Sequence, residues 1–226
     1  KIKESIIQKA IQNFKGLEHR LEFVRAIKLK NRATTIIIEF YNDSASTNPQ
    51  TAAAALQSFK EQKILIAGGK DKNLDYAPLA KTVKNSNTLA VILFGENKNK
   101  IKKAIAKTGV NIIMTTNLRN ALWSAYKQTN KLTHSVNSGL VLSKAEGLTH
   151  SVNSGLVLSK AEGLTHSVNS GLVLSKAEGL MKLKAESLIV LFSPASASFD
   201  MFTDYKERGK VFKKLVKNIA GVAQSG

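Results

Sequence analysis

The stretch from Ser187 to Gly209, SLIVLFSPASASFDMFTDYKERG, constrains this chain more than any other. Its apolar run, Leu188 to Phe192, is too short to cross a membrane and fits a strand covered on both faces. Such strands belong to parallel sheets, so the partners must come from elsewhere in the sequence. In open α/β sheets a ligand sits beyond the carboxyl ends of the strands. Here that position holds Ser193, Pro194, Ser196 and Ser198, and small hydroxyls can hydrogen-bond a carboxylate or a phosphate. The turn is therefore a candidate site.

The partners are legible. Thr34 to Phe40, Ile64 to Ala67, Leu89 to Phe94 and Asn111 to Met114 are apolar and β-branched, and read as strands. They alternate with helical segments at Gln50 to Phe59, Pro78 to Lys84, Lys98 to Lys107 and Asn117 to Gln128, the last carrying Trp123 as a core residue. This alternation predicts an α/β fold, a Rossmann-like, mostly parallel sheet flanked by helices. Lys3 to Phe14 has helical apolar spacing through Ile6, Ile7, Ala10, Ile11 and Phe14. After Gly16, His19 and Arg20 read as an exposed turn, Leu21 to Val24 as extended chain and Lys28 to Arg32 as a basic loop. Tyr205 to Ala220 reads as a helix with Phe212, Leu215, Val216 and Ile219 on its docking face.

Several of the predicted strands end in residues suited to a ligand. Asn42, Asp43 and Ser44 end one; Thr47 and Asn48 then offer caps, and Pro49 opens a helix. A strand, a polar turn and a helix N-terminus together can receive an anion, although ordinary capping explains the same residues. Gly68 and Gly69 let backbone approach a ligand closely, with Lys70, Asp71, Lys72 and Asp75 following. Gly95 and Glu96 stand at the same edge. No GxxxxGK[ST] phosphate loop occurs in the chain.

The formal charge of +18 comes from 34 basic and 16 acidic residues. Such a balance raises the possibility of a polyanion partner. The lysines are dispersed among many helices and lack the aromatic interleaving of a base-stacking platform, so specific nucleic-acid binding is not expected. The absence of cysteine excludes disulfides and suits the cytoplasm. No segment reaches the ~20 apolar residues of a membrane span, and the first residues lack a signal-peptide core, so neither a membrane nor export is expected.

LTHSVNSGLVLSKAEG occurs three times without a difference, at Leu132 to Gly147, Leu148 to Gly163 and Leu164 to Gly179; Leu180 to Glu186 resembles the tail of a fourth copy. Solenoid repeats are longer, roughly 20 residues or more, and diverge because each copy meets different neighbours. Identity instead indicates recent duplication, an inserted 16-residue tandem repeat on the surface that need not be ordered. His134, His150 and His166 recur with it, but without carboxylates at ligand spacing they read as copies of one surface histidine, and no metal site is expected.

SPASASFDMF with Tyr205, Arg208 and Gly209, GLEHRLEFV at Gly16 to Val24, YNDSASTNP at Tyr41 to Pro49 and ILIAGGKDKNLDY at Ile64 to Tyr76 resemble, in order, the C-terminal domain of the Mur ligase family, in particular its D-glutamate-adding members. The resemblance covers roughly residues 5 to 130 and 185 to 220. It implies that residues 1–15 end a preceding central domain, that 16–131 and 185–226 form the C-terminal domain, and that 132–184 are inserted. It further implies a cytoplasmic peptidoglycan enzyme, serving cell-wall biogenesis, shape and division. With ATP and Mg²⁺ it would phosphorylate UDP-N-acetylmuramoyl-L-alanine, after which D-glutamate attacks the acyl phosphate.

By the same resemblance, Lys72, Thr47, Ser198, Phe199 and Tyr205 bind D-glutamate, and His19, Arg20 and Asp43 face ATP. The phosphate loop, most metal ligands and the uridine-nucleotide domain would lie in N-terminal and central domains absent from this sequence. Ala45 stands where many relatives carry lysine. Two alternatives remain at this stage: a gene remnant without catalysis, and a basic module that holds polyanions.

Overall fold

A computed structural model of the chain describes residues 2–14, 16–30, 35–145, 174–177, 180–183 and 186–222. Its elements are α1 (Glu4–Asn13), β1 (Glu22–Lys30), β2 (Thr35–Asn42), α2 (Pro49–Gln57), β3 (Gln62–Gly68), α3 (Ala77–Asn85), β4 (Thr88–Phe94), α4 (Lys98–Ile105), β5 (Asn111–Met114), α5 (Leu118–Ala145), β6 (Leu174–Ala177), β7 (Leu180–Leu183), β8 (Glu186–Phe192) and α6 (Tyr205–Val222). A 3₁₀ turn, Ala106–Thr108, follows α4.

Six strands form one sheet in the order β1-β2-β8-β3-β4-β5. β2, β8, β3, β4 and β5 run parallel, and β1 joins β2 antiparallel at the edge. The mostly parallel α/β sheet expected from the sequence is thus present. β3, β4 and β8 bury both faces, which is why they read as unbroken apolar runs. β2 buries Ile36, Ile38, Phe40 and Asn42 and leaves the alternate residues half-buried.

Two cores form, one on each face. α5 and α6 cover one, where Leu122, Tyr126, Phe212 and Val216 pack on Phe40, Phe94 and Phe192. The rings of Phe192 and Phe212 stack at 4.6 Å. On the other face Leu56 of α2, Leu79 and Val83 of α3, and Ile101 and Ile105 of α4 meet Leu65, Val91 and Leu191. Complete burial of each large side chain contributes about 1.5–3 kcal/mol.

This connectivity locates a crevice. The turns after β2 and β3 lead to α2 and α3 on one face, whereas the turn after β8 leads to α6 on the other. β8 lies between β2 and β3, so its carboxyl end is where the connections diverge. Doubly wound sheets bind ligands at such a point.

Several elements differ from the sequence reading. β1 extends into the expected basic loop as far as Lys30, because pairing with β2 supplies hydrogen bonds that local charge does not predict. Trp123 is 37% exposed rather than core; Ala121, Leu122, Ala125 and Tyr126 take the face toward the sheet and turn it outward. α5 continues through most of the first repeat copy to Ala145. LSKA is helical there at 142–145 and a strand at 174–177, where it pairs antiparallel with β7. The rest of the expected insertion lies outside the described residues. α1 buries no residue; Ile2, Ile6, Ile7, Ile11 and Phe14 are exposed.

Candidate functional site

The turn after β8 and the turn after β3 are joined directly. Gly68 N–H donates to Pro194 O and Lys70 N–H to Ala197 O, each at 2.9 Å. The two glycines make this approach possible: φ is +131° at Gly68 and +152° at Gly69, and a Cβ at either would overlap the main chain of Phe94 or Ala197. Ala195 is buried with φ +58°, a left-handed conformation that a non-glycine residue adopts at a cost of ~1 kcal/mol or more.

This joining brings Lys72, Ser198 and Phe199 together. The Lys72 ammonium lies 5.2 Å from the Phe199 ring centroid, and both side chains are exposed, whereas Ser198 is buried. The neighbouring lysines are occupied. Lys70 pairs with Glu96 at 2.6 Å, which raises its pKa, and Lys100 binds Asp71 at 3.1 Å and Asn73 Oδ1 at 2.8 Å. Asp71 is held below the usual carboxylate range by the Asn73 amide and Lys100.

His19, Arg20, Asp43 and Tyr205 form a second group at the end of β2. His19 is buried, not exposed in a turn: Asn42 Nδ2 meets its Nδ1 at 2.9 Å and Tyr205 packs edge-on at 6.2 Å. Its ring occupies the space that a Cβ on Gly209 would need. Burial holds its pKa below the ordinary 6.5, and its Nε2 is buried without a hydrogen-bond partner among the described residues. The difference arises from partners far along the chain that an isolated His-Arg pair does not reveal.

Asp43 is fully buried. Its Oδ1 accepts Leu21 N–H at 3.2 Å and its Oδ2 accepts Ser193 O–H at 2.7 Å, while burial raises its pKa. Arg20 has a half-exposed guanidinium that donates to Ser46 Oγ at 3.0 Å and lies 3.6 Å from Asp43. Thr47 precedes the Asn48 cap, whose side chain accepts Thr51 N–H at 2.9 Å. Ala45 N–H donates to His19 O.

Sequence reasoning assigned no role to Arg208, Tyr76, Asn97 or Asp200, and it offered Ser196 as a ligand hydroxyl rather than as a residue that binds these groups to one another. Arg208, fully buried, donates to Ser44 Oγ, Ser44 O and Ser196 O at 2.9–3.1 Å. Burial draws its pKa down to about 10, leaving it charged at neutral pH. Tyr76, Asn97 and Ser196 form a buried polar cluster. Asp200 Oδ2 accepts Glu96 N–H at 3.1 Å, and its Oδ1 is buried without a hydrogen-bond partner among the described residues. The available signal was position: Asn97 follows the carboxyl end of β4, and Ser196 and Asp200 that of β8, whereas Arg208 lies within α6.

Among the described residues no group of three or more His, Asp or Glu side chains is placed to hold a metal ion, and no helix is long and apolar enough to cross a membrane. The arrangement at the ends of β3 and β8 suits recognition of an anion by the Lys72 ammonium; the half-exposed Arg20 guanidinium belongs to the separate group at the end of β2.

The family model for the Mur ligase glutamate ligase domain matches residues 19–136. The UDP-N-acetylmuramoylalanine–D-glutamate ligase of Caldicellulosiruptor saccharolyticus is 31% identical over 219 residues, 96% of this chain and 34% of its own length. Those of Caldanaerobacter subterraneus and Clostridium tetani are each 30% identical over 96% and 94% of this chain. The solved UDP-N-acetylmuramate-alanine ligase of Thermotoga maritima matches 93% of the chain at 14% identity and TM-score 0.43. The chain spans about a third of the length of the curated relatives it matches. With more than half of its residues matched by the family model, the chain belongs to the Mur ligase family and carries its glutamate ligase domain.

Proposed function

We propose that this chain is the D-glutamate- and ATP-contacting C-terminal part of a ligase that adds D-glutamate to UDP-N-acetylmuramoyl-L-alanine, in the cytoplasmic synthesis of peptidoglycan precursors. The observation that carries this reading is the exposed Lys72 ammonium held beside Phe199 and the Ser198 turn, while Lys70 and Lys100 are paired with carboxylates. An ammonium without a carboxylate partner among the described residues, at the diverging ends of β3 and β8, is suited to a substrate carboxylate. A compact ammonium acts there as a point charge, and Phe199 limits its motion.

In this reading Lys72 receives a carboxylate of D-glutamate, and Thr47, Ser198, Phe199 and Tyr205 complete the pocket. The residues orient the amine toward the acceptor carbonyl, and holding two reactants in register is where much of the rate advantage in such a reaction originates. Arg20 fits the nucleotide, because its guanidinium is half-exposed, held through Nη1 by Ser46 and Asp43, and a planar fork suits phosphate or ribose. His19 and Asp43, buried behind it, support that wall through Ala45 and Ser193. When bound, ATP supplies the phosphoryl group that activates the acceptor carboxylate. Mg²⁺, which such chemistry takes, is given no residue here. The N-terminal and central domains of the relatives would provide the uridine-nucleotide site and the phosphate loop.

The test is nuclear magnetic resonance of the ¹⁵N-labelled chain during addition of D-glutamate and, separately, ATP-Mg²⁺. D-glutamate should shift the amides of Thr47, Lys72, Ser198 and Phe199, and ATP-Mg²⁺ those of Arg20 and its neighbours. Spectra of a folded chain that neither ligand alters would contradict the reading and favour a remnant. Shifts produced by any polyanion and removed by salt would favour the basic module.

A further inference from the structure

The loop from Lys70 to Asp75 carries Lys72, and its two ends are gripped by one buried side chain from another segment. Asn97, at the entrance to α4, is 2% exposed. Its Oδ1 accepts Gly69 N–H at 3.0 Å, and its own N–H donates to Gly69 O at 3.0 Å, so both polar groups of the residue preceding the loop are engaged. Its Nδ2 donates to Tyr76 Oη at 2.5 Å, immediately beyond the loop. The same Nδ2 donates to Ser196 Oγ at 2.6 Å, in the turn that bears Ser198. Tyr76 Oη and Ser196 Oγ meet at 2.9 Å, closing the triangle.

The neighbours of Asn97 extend the grip. Glu96 holds Lys70, and Lys100, one helical turn further on, holds Asp71 and Asn73. The contacts of Lys70 with Glu96 and of Lys100 with Asp71 are partly exposed ion pairs, of which each contributes ~0–1 kcal/mol. Asn97 differs because its partners are buried. Breaking its bonds leaves Gly69 N–H and two hydroxyls competing for fewer partners, at ~1–3 kcal/mol for each group left unsatisfied.

We infer that Asn97 is a positioning residue: through Gly69, Tyr76 and Ser196 it clamps both ends of the Lys70 to Asp75 loop against the Ser198 turn and so sets where the Lys72 ammonium meets a substrate carboxylate. Asn97 does not itself touch the ligand. The inference rests on the reading of Lys72 as the carboxylate contact. The clamp, however, is a property of the free chain and can be tested without any ligand.

Two variants separate the clamp from general stability. Asn97→Leu keeps the branching and heavy-atom count and removes the three side-chain hydrogen bonds, leaving the main-chain bond to Gly69 O; Tyr76→Phe removes one hydroxyl at the far end of the loop. Hydrogen exchange of the free chain should accelerate by about ten-fold or more over residues 69–76 in Asn97→Leu, the equivalent of one net hydrogen bond. In Tyr76→Phe the acceleration should be confined to the end near residues 74–77, and in both variants β4 should retain its protection. Calorimetry should show D-glutamate affinity reduced by about ten-fold in Asn97→Leu, while ATP-Mg²⁺ affinity changes by less than about two-fold, since that wall shares no partner with Asn97.

Unaltered loop exchange in both variants overturns the inference, whether or not D-glutamate binds. It is likewise overturned if the loop loosens but D-glutamate affinity in Asn97→Leu equals that of the wild type. If Asn97→Leu does not fold, Tyr76→Phe decides by the same exchange criterion. A wild-type chain that does not bind D-glutamate while its variants loosen as described refutes the proposed function and leaves the clamp established.

Discussion

The amide of Lys70 donates to the carbonyl of Ala197 at 2.9 Å, so the loop after β3 and the turn after β8 are bonded directly to each other. This bond is why Lys72 and Phe199, far apart in sequence, face each other. Lys72 is exposed, and its removal should leave the fold intact. Lys72→Ala is expected to change the denaturation midpoint negligibly yet weaken D-glutamate binding by about ten-fold or more, the scale of one charge-assisted hydrogen bond. Chemical denaturation and calorimetry on the same preparation check both halves.

Arg208 has the opposite profile. Its guanidinium spans Ser44 and Ser196, so Arg208→Met removes three hydrogen bonds and strands two buried carbonyls. A loss of about 2–4 kcal/mol in unfolding free energy is expected. Arg208→Lys should recover only part of it, because a point charge cannot reproduce the planar fork. Urea titration measures both.

Gly209 and His19 should prove coupled. Gly209→Ala drives a methyl into the imidazole and should cost about 1–3 kcal/mol, as overpacking does. In a His19→Ala background the same substitution meets no ring and should cost less than in the wild type. A double-mutant cycle gives the difference, and additivity would show that the ring does not fill that space.

His19 also predicts a pH dependence. Its folded pKa lies below the ordinary 6.5 because burial disfavours the imidazolium; Glu18 and Glu22 oppose this, and Lys213 and Lys210 reinforce it. Below 6.5 the unfolded chain takes up a proton that the folded chain does not. The contribution is therefore complete above 6.5 and is lost as pH falls from there toward the folded value. Thermal unfolding at successive pH values should show this decline, and His19→Phe should flatten it.

The legible parts of this fold were those that local chemistry determines. Ile64 to Ala67 and Leu188 to Phe192 announce buried parallel strands because both faces are covered, and Pro49 behind Asn48 announces a helix start. The extent of β1 was illegible because its charged residues are paired by β2 rather than by their own neighbours. His19 appeared exposed because Asn42, Tyr205 and Gly209 reach it from other segments. LSKA, helical in one copy and extended in another, shows four residues determining nothing by themselves. In the site, Lys72 and Ser198 could be located from motifs, whereas Asn97 becomes visible only once Gly69 and Tyr76 are seen on either side of it.

The most direct test of the central claim is calorimetric titration of the folded chain with D-glutamate, with L-glutamate as control, repeated on Lys72→Ala and Ser198→Ala. The account predicts saturable binding of D-glutamate with a dissociation constant on the order of millimolar or tighter, weaker binding of L-glutamate, and loss of binding in both variants. No binding to the folded wild type, or equal binding by wild type and Lys72→Ala, would contradict it.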